Sequence, residues 1–388
     1  MNWRMVYPQT VGLLPYPLDS VVVPYVDRWE EYIEDVLKLH LNHLPPAWSY
    51  LESLVSGNFQ EALERLTLVE EGPVREYIRC LITGEVKETG DPLLDSLLKG
   101  SESLLERGDL DALLLYRKAV KLASSGLVDD ALQLYSEAQA LVRGISPLFE
   151  ARLQLERLRL MAEHRGLNYG IIAALEKLFE ELQQTGAEQL KAEIHFNLGN
   201  FYSSLGDIRR AVFHFSEALT YFTHERNPYM YALINNNMGL TYLSVQATDL
   251  EDQMRLAYGI QCLRNALKVF TKEEFPKEWS SVTMNYANAL VYLPTANPLK
   301  NLLKALELYE EVLRCKESLG DTEGKARVLA NMGNALAHLG RFEEAKKRLT
   351  EALQLFRQLG LKEEAEGVLE LLEEIRTTQV EGHGKHVD

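Results

Sequence analysis

The sequence HFNLGNFYSSLGDIRRAVFHFSEAL (195–219) decides the fold of this chain. Apolar residues recur at helical spacing on both sides of a Leu205-Gly206-Asp207 break, which predicts two amphipathic helices joined by a tight turn. Near the other end of the chain, ANMGNALAHLGRFEEAKKRLTEAL (330–353) repeats the pattern with small and apolar residues at matching offsets. The two copies predict a helical hairpin that recurs along the chain.

The spacing between equivalent positions shows how often the hairpin recurs. The residue in the middle of each first helix serves as a marker, and it is small in all copies but one: Ala119, Arg159, Gly199, Gly239, Ala287 and Gly333. Successive markers are 40, 40, 40, 48 and 46 residues apart, and the excess in the last two falls in insertions near 247–255 and 293–300. A fixed period of this size is the signature of a helical solenoid.

These hairpins resemble the tetratricopeptide repeat family. The resemblance rests on residues at the family's positions in two hairpins: Leu198, Gly199, Tyr202, Gly206, Ala211, Phe215 and Ala218, then Met332, Gly333, Gly340, Ala345, Leu349 and Ala352. The usual repeat has about 34 residues and a closing proline, whereas this chain has a 40-residue period and lacks that proline. It is similar in this respect to the long-helix variant of kinesin light chains, adaptors with Leu-Gly-Asn-type repeats and bacterial peptide-responsive regulators. The resemblance implies an all-α fold, a right-handed superhelical solenoid of antiparallel helix hairpins.

The rest of the chain is interpreted outward from these repeats. We expect a Pro-rich apolar N-terminal arm (1–26), degenerate N-terminal helical hairpins (27–107), two divergent repeats (108–191), four repeats that contain both insertions (192–360), a capping helix (361–376) and a disordered tail (377–388). Four prolines in the arm forbid a continuous helix and favour extended backbone. Its apolar composition indicates that it covers the helical body, or docks on a partner or a second subunit.

A ladder of asparagines accompanies the repeats. Two residues before the marker stand Asn197, Asn237, Asn285 and Asn331, and one residue after it stand Asn200, Asn288 and Asn334. Positions three apart share one face of a helix. The resemblance implies that this face lines a concave groove, where side-chain amides hold the backbone of an extended peptide. The alternative is that these amides bond between adjacent helices and stiffen the array.

The two divergent repeats carry arginines where the others carry the first asparagine of the ladder. These are Arg117 and Arg157. A guanidinium at such a position can clamp a carboxylate of a ligand through two parallel hydrogen bonds. The alternative is that both are ordinary solvent-facing charges.

Composition and motifs disfavour several classes of function. The net charge of −16 repels phosphates, which disfavours nucleic acid and anionic membranes as partners. No apolar stretch reaches the roughly 18–20 residues of a membrane span, and the N-terminus lacks the pattern of a signal peptide, so we expect a cytoplasmic protein. Three cysteines without a CxxC pair predict reduced thiols. Since phosphate-binding, dinucleotide-binding and zinc-protease motifs are missing, we expect no metal, no cofactor and no enzymatic activity.

The sequence thus favours an interaction scaffold that binds a peptide or a partner-protein segment in the concave groove. Two alternatives stay open. One is an assembly chaperone or accessory subunit that cradles a partner enzyme, with the arm as a second contact. The other is a peptide-sensing bacterial regulator, for which residues 1–107 show no clear basic helix-turn-helix as an output domain. The oligomeric state is open, and a dimer through the arm is one option.

Overall fold

The computed structural model consists mainly of helices joined by turns, and a small antiparallel sheet precedes them. The structure describes residues 3–6, 9–14, 21–85, 87–99, 109–144, 146–244, 250–293 and 297–384. The chain divides into two units, Met1–Phe201 and Tyr202–Asp388.

The first unit opens with the sheet. Its strands are β1 (Trp3–Val6), β2 (Gln9–Leu14) and β3 (Val21–Pro24), and they pair in the order β1-β2-β3. The prolines of the arm predicted extended backbone but not this pairing, which satisfies the N–H and C=O groups that an extended segment leaves open. The indole of Trp48 anchors β3, because its Nε1 donates a 2.7 Å hydrogen bond to the carbonyl oxygen of Pro24.

Short helices follow the sheet. They are α1 (Glu30–Leu37), α2 (Tyr50–Val55), α3 (Phe59–Arg65), α4 (Pro73–Thr83) and α5 (Pro92–Lys99). They share a core in which the side chains of Trp48, Tyr50 and Tyr77 are fully buried. Helix α1 ends at Leu37, and Leu39 just beyond it has a positive φ of 58° that an α-helix does not continue through.

The first repeats complete this unit. Their helices are α6 (Asp109–Ser124), α7 (Val128–Val142), α8 (Pro147–Arg165), α9 (Tyr169–Glu181) and α10 (Glu188–Ser204), the last of which continues three residues beyond Phe201. The hairpin of α8 and α9 is the degenerate one. There Ile171 and Leu178 fill buried positions that small residues occupy in other repeats, and Arg159 pairs with Glu156 at 2.9 Å.

The second unit continues the hairpins to the end of the chain. Its helices are α11 (Ile208–Tyr221), α12 (Pro228–Leu243), α13 (Leu250–Ala266), α14 (Pro276–Tyr292), α15 (Pro298–Ser318), α16 (Thr322–His338), α17 (Phe342–Gln358) and α18 (Lys362–Gly384). The residues that define the repeat pattern are fully buried: Ala211, Phe215, Ala218, Ala345, Leu349 and Ala352. The prediction of a helical solenoid of hairpins is confirmed.

The marker glycines lie where two helices of a hairpin cross closely. A Cβ added to Gly333 would lie 2.5 Å from Cγ of Leu349, and one added to Gly239 would lie 3.0 Å from the carbonyl oxygen of Gly259. The first distance is shorter than Cβ contacts in proteins, and the second is tighter than most of them, so that a neighbouring group would have to shift. The small residues are therefore a requirement of helix packing.

The end of the chain differs from the expectation. The capping helix was expected over 361–376, but α18 continues to Gly384, through part of the tail expected to be disordered. The extension is held by Gln379, whose side chain hydrogen-bonds to Lys346 and Glu343 of α17. Residues 385–388 of that tail lie outside the described residues, as do 245–249 and 294–296, which include parts of both insertions.

Candidate ligand-binding groove

An open groove of about 560 Å³ lies in the second unit and is lined chiefly by α14, α16 and α18. These three helices are alternate helices of the array, so each offers the same face. The lining residues are Met284, Asn288, Tyr292, Arg327, Ala330, Asn331, Asn334, Phe356, Glu364, Gly367, Val368, Glu370, Leu371 and Glu374. We call this site the α14–α18 groove.

Three asparagines of the ladder line this groove and differ in what they bond. Oδ1 of Asn288 accepts a 2.5 Å hydrogen bond from the hydroxyl of Tyr309, and Nδ2 of Asn334 donates a 2.6 Å bond to the hydroxyl of Tyr292. Burial raises the pKa of Tyr309, so its hydroxyl stays protonated and serves as the donor to Asn288. Within the described residues, the side chain of Asn331 makes no hydrogen bond. Its amide group is therefore available to hydrogen-bond a ligand in the groove.

Apolar groups surround these amides. Met284, Ala330, Val368 and Leu371 contribute side-chain surface to the lining. Tyr292 is 66% exposed even though its hydroxyl accepts a hydrogen bond from Asn334. Exposed aromatic and aliphatic surface beside amide groups is the composition of a ligand pocket, where apolar contact supplies affinity and a few polar groups fix orientation.

Some charged side chains of the groove form ion pairs and others do not. Arg327 forms ion pairs with Glu323 at 3.0 Å and Glu364 at 2.8 Å, and the hydrogen bond that it donates to Glu323 is the largest cause of its raised pKa. Among the described residues, the carboxylates of Glu370 and Glu374 have no ion pair, and both residues are exposed. The α18 wall of the groove is therefore acidic.

Two other asparagines of the ladder belong to a chain of amides that links α12 to α14. Nδ2 of Asn285 donates to Oδ1 of Asn236 at 3.2 Å, and Nδ2 of Asn236 donates to Oδ1 of Asn237 at 3.0 Å. Neither Asn237 nor Asn285 lines the α14–α18 groove. This is the bonding between adjacent helices that the structural alternative describes.

The remaining candidate residues lie in the first unit. Asn197 is 8% exposed, and its Nδ2 donates a 2.8 Å bond to the carbonyl oxygen of Glu193 in its own helix. Asn200, one turn later, is half-buried. Arg157 is half-buried and reaches the hydroxyl of Ser136 at 3.4 Å, and Arg117 is half-buried on α6. The structure thus brings Asn288, Asn331 and Asn334 together in one groove and uses the others elsewhere.

The α18 side of the groove was missed by sequence reasoning. A signal for it exists, because the 40-residue period carries the ladder positions of α16 onto the capping helix. Forty residues after Asn331 and Asn334 stand Leu371 and Glu374, and forty after Arg327 and Ala330 stand Gly367 and Glu370. All four of these α18 residues line the groove. The capping helix thus takes the place of a further first helix.

Within the described residues there is neither a cluster of metal ligands nor a helix that could span a membrane. No group of three or more metal-ligating side chains comes together there. The described helices also include none with the length and apolar character required to cross a bilayer. The three cysteines are free and buried, and burial raises the pKa of Cys262 to about 11, which keeps its thiol protonated.

Comparison with known proteins identifies the repeats. Tetratricopeptide repeat models match residues 295–358 and 192–222. A Rap protein complexed with competence and sporulation factor is similar in structure, with 14% identity and a TM-score of 0.50 over 90% of this chain and 99% of that one. A signal transduction ATPase with a tetratricopeptide repeat sensor, from Pyrococcus horikoshii, has 12% identity and a TM-score of 0.53 over 87% of this chain and 50% of that one. The search of curated proteins found no match.

The hairpins, their 40-residue period and the groove define a helical-repeat interaction scaffold. The tetratricopeptide repeat matches cover two stretches of these hairpins, residues 192–222 and 295–358, and the likeness of the chain to the Rap protein is one of fold.

Proposed function

We propose that the α14–α18 groove holds an extended segment of a partner protein. The observation that carries this proposal is the side chain of Asn331, which lines the groove and finds no hydrogen-bond partner in the described chain. Amides at neighbouring ladder positions do have hydrogen-bond partners, since Asn288 and Asn334 each hydrogen-bond a tyrosine hydroxyl.

The chemistry of an extended segment matches these groups. Every non-proline residue of such a segment presents one N–H and one C=O, and a side-chain amide supplies an acceptor and donors in return. Contacts of this kind are independent of the ligand's sequence. The apolar lining then accommodates the ligand's side chains, and a volume of about 560 Å³ is in the range of ordinary ligand pockets.

The fold likeness is compatible with the proposal. The Rap protein of similar fold was solved in complex with competence and sporulation factor. At 14% identity the likeness concerns the fold alone, so the argument for this chain rests on its own groove residues.

Selection of peptides from a random library tests the proposal directly. Phage-displayed random dodecamers are panned on the full chain, and the affinities of the selected peptides are measured by fluorescence polarisation for the wild type and for Asn331→Ala/Asn334→Ala. We expect the double variant to bind about tenfold or more weakly, because two hydrogen-bonding side chains are removed at roughly 0.5–1.5 kcal/mol each.

A matched control is available outside the groove. Asn301 lies on α15, is half-buried and does not line the site, so Asn301→Ala should bind the peptides as the wild type does. Circular dichroism melts check that all variants remain folded. A panning that yields no binding peptide, or peptides that bind the double variant as well as the wild type, would overturn the proposal.

A further inference from the structure

We propose that the segment held in the α14–α18 groove is basic, with a lysine or arginine side chain against Glu370 and Glu374 and with its backbone passing over Gly367. This inference rests on the proposed function and specifies the chemistry of the partner.

The unpaired carboxylates of α18 carry the first half of the inference. Glu370 and Glu374 are one helical turn apart, and like charges at this spacing repel each other. Some other glutamates of this unit form ion pairs, as Glu344 does with Arg341 at 2.5 Å and Glu310 with Arg348 at 3.2 Å. Within the described residues no basic side chain forms an ion pair with Glu370 or Glu374, and Arg327, the cation that shares the groove lining, is paired with Glu323 and Glu364. Because both line the groove, a cationic group on the ligand is the partner that would relieve their repulsion.

The glycine on the same face carries the second half independently. Gly367 lies inside α18, and its backbone is not in the left-handed region that favours glycine. A Cβ added there would meet no atom within 4 Å. Neither backbone conformation nor internal packing requires glycine at this position, although glycine disfavours a helix interior. A ligand whose backbone approaches α18 closely at this position explains why glycine stands there.

The spacing of these residues gives the ligand a pattern. Gly367 and Glu374 are seven positions apart, about 10 Å along the helix axis at 1.5 Å per residue. An extended chain covers this length in about three residues. The basic side chain should therefore stand two to three residues from the point of close backbone approach.

The panned peptides test the charge preference. We expect the pool selected on the wild type to be enriched in lysine and arginine over the unselected library. The double variant Glu370→Gln/Glu374→Gln should bind these peptides about fivefold more weakly, the combined effect of two exposed ion pairs. The loss should shrink as salt is raised, because exposed charges are screened.

A control with the same change of charge on the same helix is Glu366→Gln/Glu373→Gln. Both residues are exposed, and neither lines the groove. This variant should keep wild-type affinity to within about twofold. Selected peptides with no basic enrichment, or equal losses in the two double variants, would contradict the inference while leaving the proposed function intact, since that depends on Asn331 and Asn334.

Gly367→Ala tests the close approach. The added methyl group meets no atom of the protein but stands in the groove, so we expect it to weaken binding of the selected peptides about tenfold without lowering the melting temperature. Wild-type affinity in this variant would overturn the placement of the ligand backbone. Loss of binding by Asn331→Ala/Asn334→Ala together with full binding by Gly367→Ala would retain the groove as the site and reject this path through it.

Discussion

Asn197 in the first unit and Asn331 in the second occupy the same position of the repeat, two residues before the marker, yet they have different surroundings. Asn197 is buried and bonds the carbonyl oxygen of Glu193 in its own helix. Asn331 lines an open groove and makes no hydrogen bond in the described chain. The period of a solenoid therefore fixes where a side chain stands, while its neighbours decide whether the fold or a ligand uses it.

The same contrast extends to the arginines of the first unit. Arg157 stands at the ladder position of α8 and contacts Ser136, a residue of the preceding helix. In the second unit, Asn334 contacts Tyr292 across two first helices and remains in the groove lining. Residues at ladder positions thus make internal contacts in both units. The groove forms in the second unit, where tyrosine residues and the capping helix α18 lie beside the ladder residues.

The largest expected effect concerns the marker positions. Gly333→Ala would place a Cβ 2.5 Å from Cγ of the fully buried Leu349, so we expect a loss of about 2–3 kcal/mol in the free energy of unfolding. The first unit already carries a methyl group at its marker Ala119, where Ala119→Gly should cost only about 1 kcal/mol. Urea denaturation measures both. A neutral Gly333→Ala would show that the close crossing is not a requirement of the second unit.

The next effect concerns the start of the groove helix α16. Asp321 accepts a bond from the backbone N–H of Gly324 and pairs with the buried Lys316, both at 2.8 Å, and the bond from Lys316 is the largest cause of its lowered pKa. Asp321→Asn keeps a capping group but leaves Lys316 without its anion. We expect a loss of about 1–2 kcal/mol at pH 7.

The pH dependence of that loss follows from the sign of the shift. Since folding lowers the pKa of Asp321 below its ordinary value of 3.8, its contribution is fully present above that pH and is lost as the pH falls through the folded pKa. The difference between wild type and Asp321→Asn should therefore shrink at low pH. Ser146→Ala is the control in the first unit: the buried hydroxyl of Ser146 has no hydrogen-bond partner among the described atoms, so its removal loses no bond and should not destabilise the chain at any pH. A difference between Asp321→Asn and wild type that is constant with pH would rule out the ion pair as its source.

The smallest expected effect has the opposite sign. Gly367→Ala should raise the free energy of unfolding by about 0.5–1 kcal/mol, because alanine favours the helix and the methyl group meets no protein atom. Measured beside Gly333→Ala, it separates a glycine required by packing from one that packing leaves unexplained. A destabilised Gly367→Ala would show that the fold itself requires this glycine.

Much of the fold could be predicted from the sequence, because small residues at a fixed period are a direct consequence of helix crossing. The repeat pattern calls for small residues at Gly333 and Ala345, and the structure buries both. The pairing of the N-terminal strands was not predicted, since prolines specify extended backbone but not its partner.

Only part of the candidate site could be predicted. Helical periodicity places Asn331 and Asn334 on one face of α16, the repeat places Asn288 at a matching position of α14, and the structure puts all three in the groove. The sequence does not reveal that the hydroxyls of Tyr309 and Tyr292 hydrogen-bond two of these amides, because those contacts depend on side chains that come from other helices. The acidic wall was missed because α18 was interpreted as a cap, and its equivalence to a first helix requires the period to be carried past the last repeat.

A crossed measurement on Asn197 and Asn331 tests the central claim most directly. Each is replaced by alanine in the full chain, and both the melting temperature and the affinity for the panned peptides are recorded. Asn197→Ala should lower stability by about 1 kcal/mol through the lost internal hydrogen bond and leave affinity unchanged. Asn331→Ala should leave stability unchanged and weaken binding about fivefold or more. A destabilised Asn331→Ala with unaltered affinity would contradict the account, because the groove amide would then serve the fold.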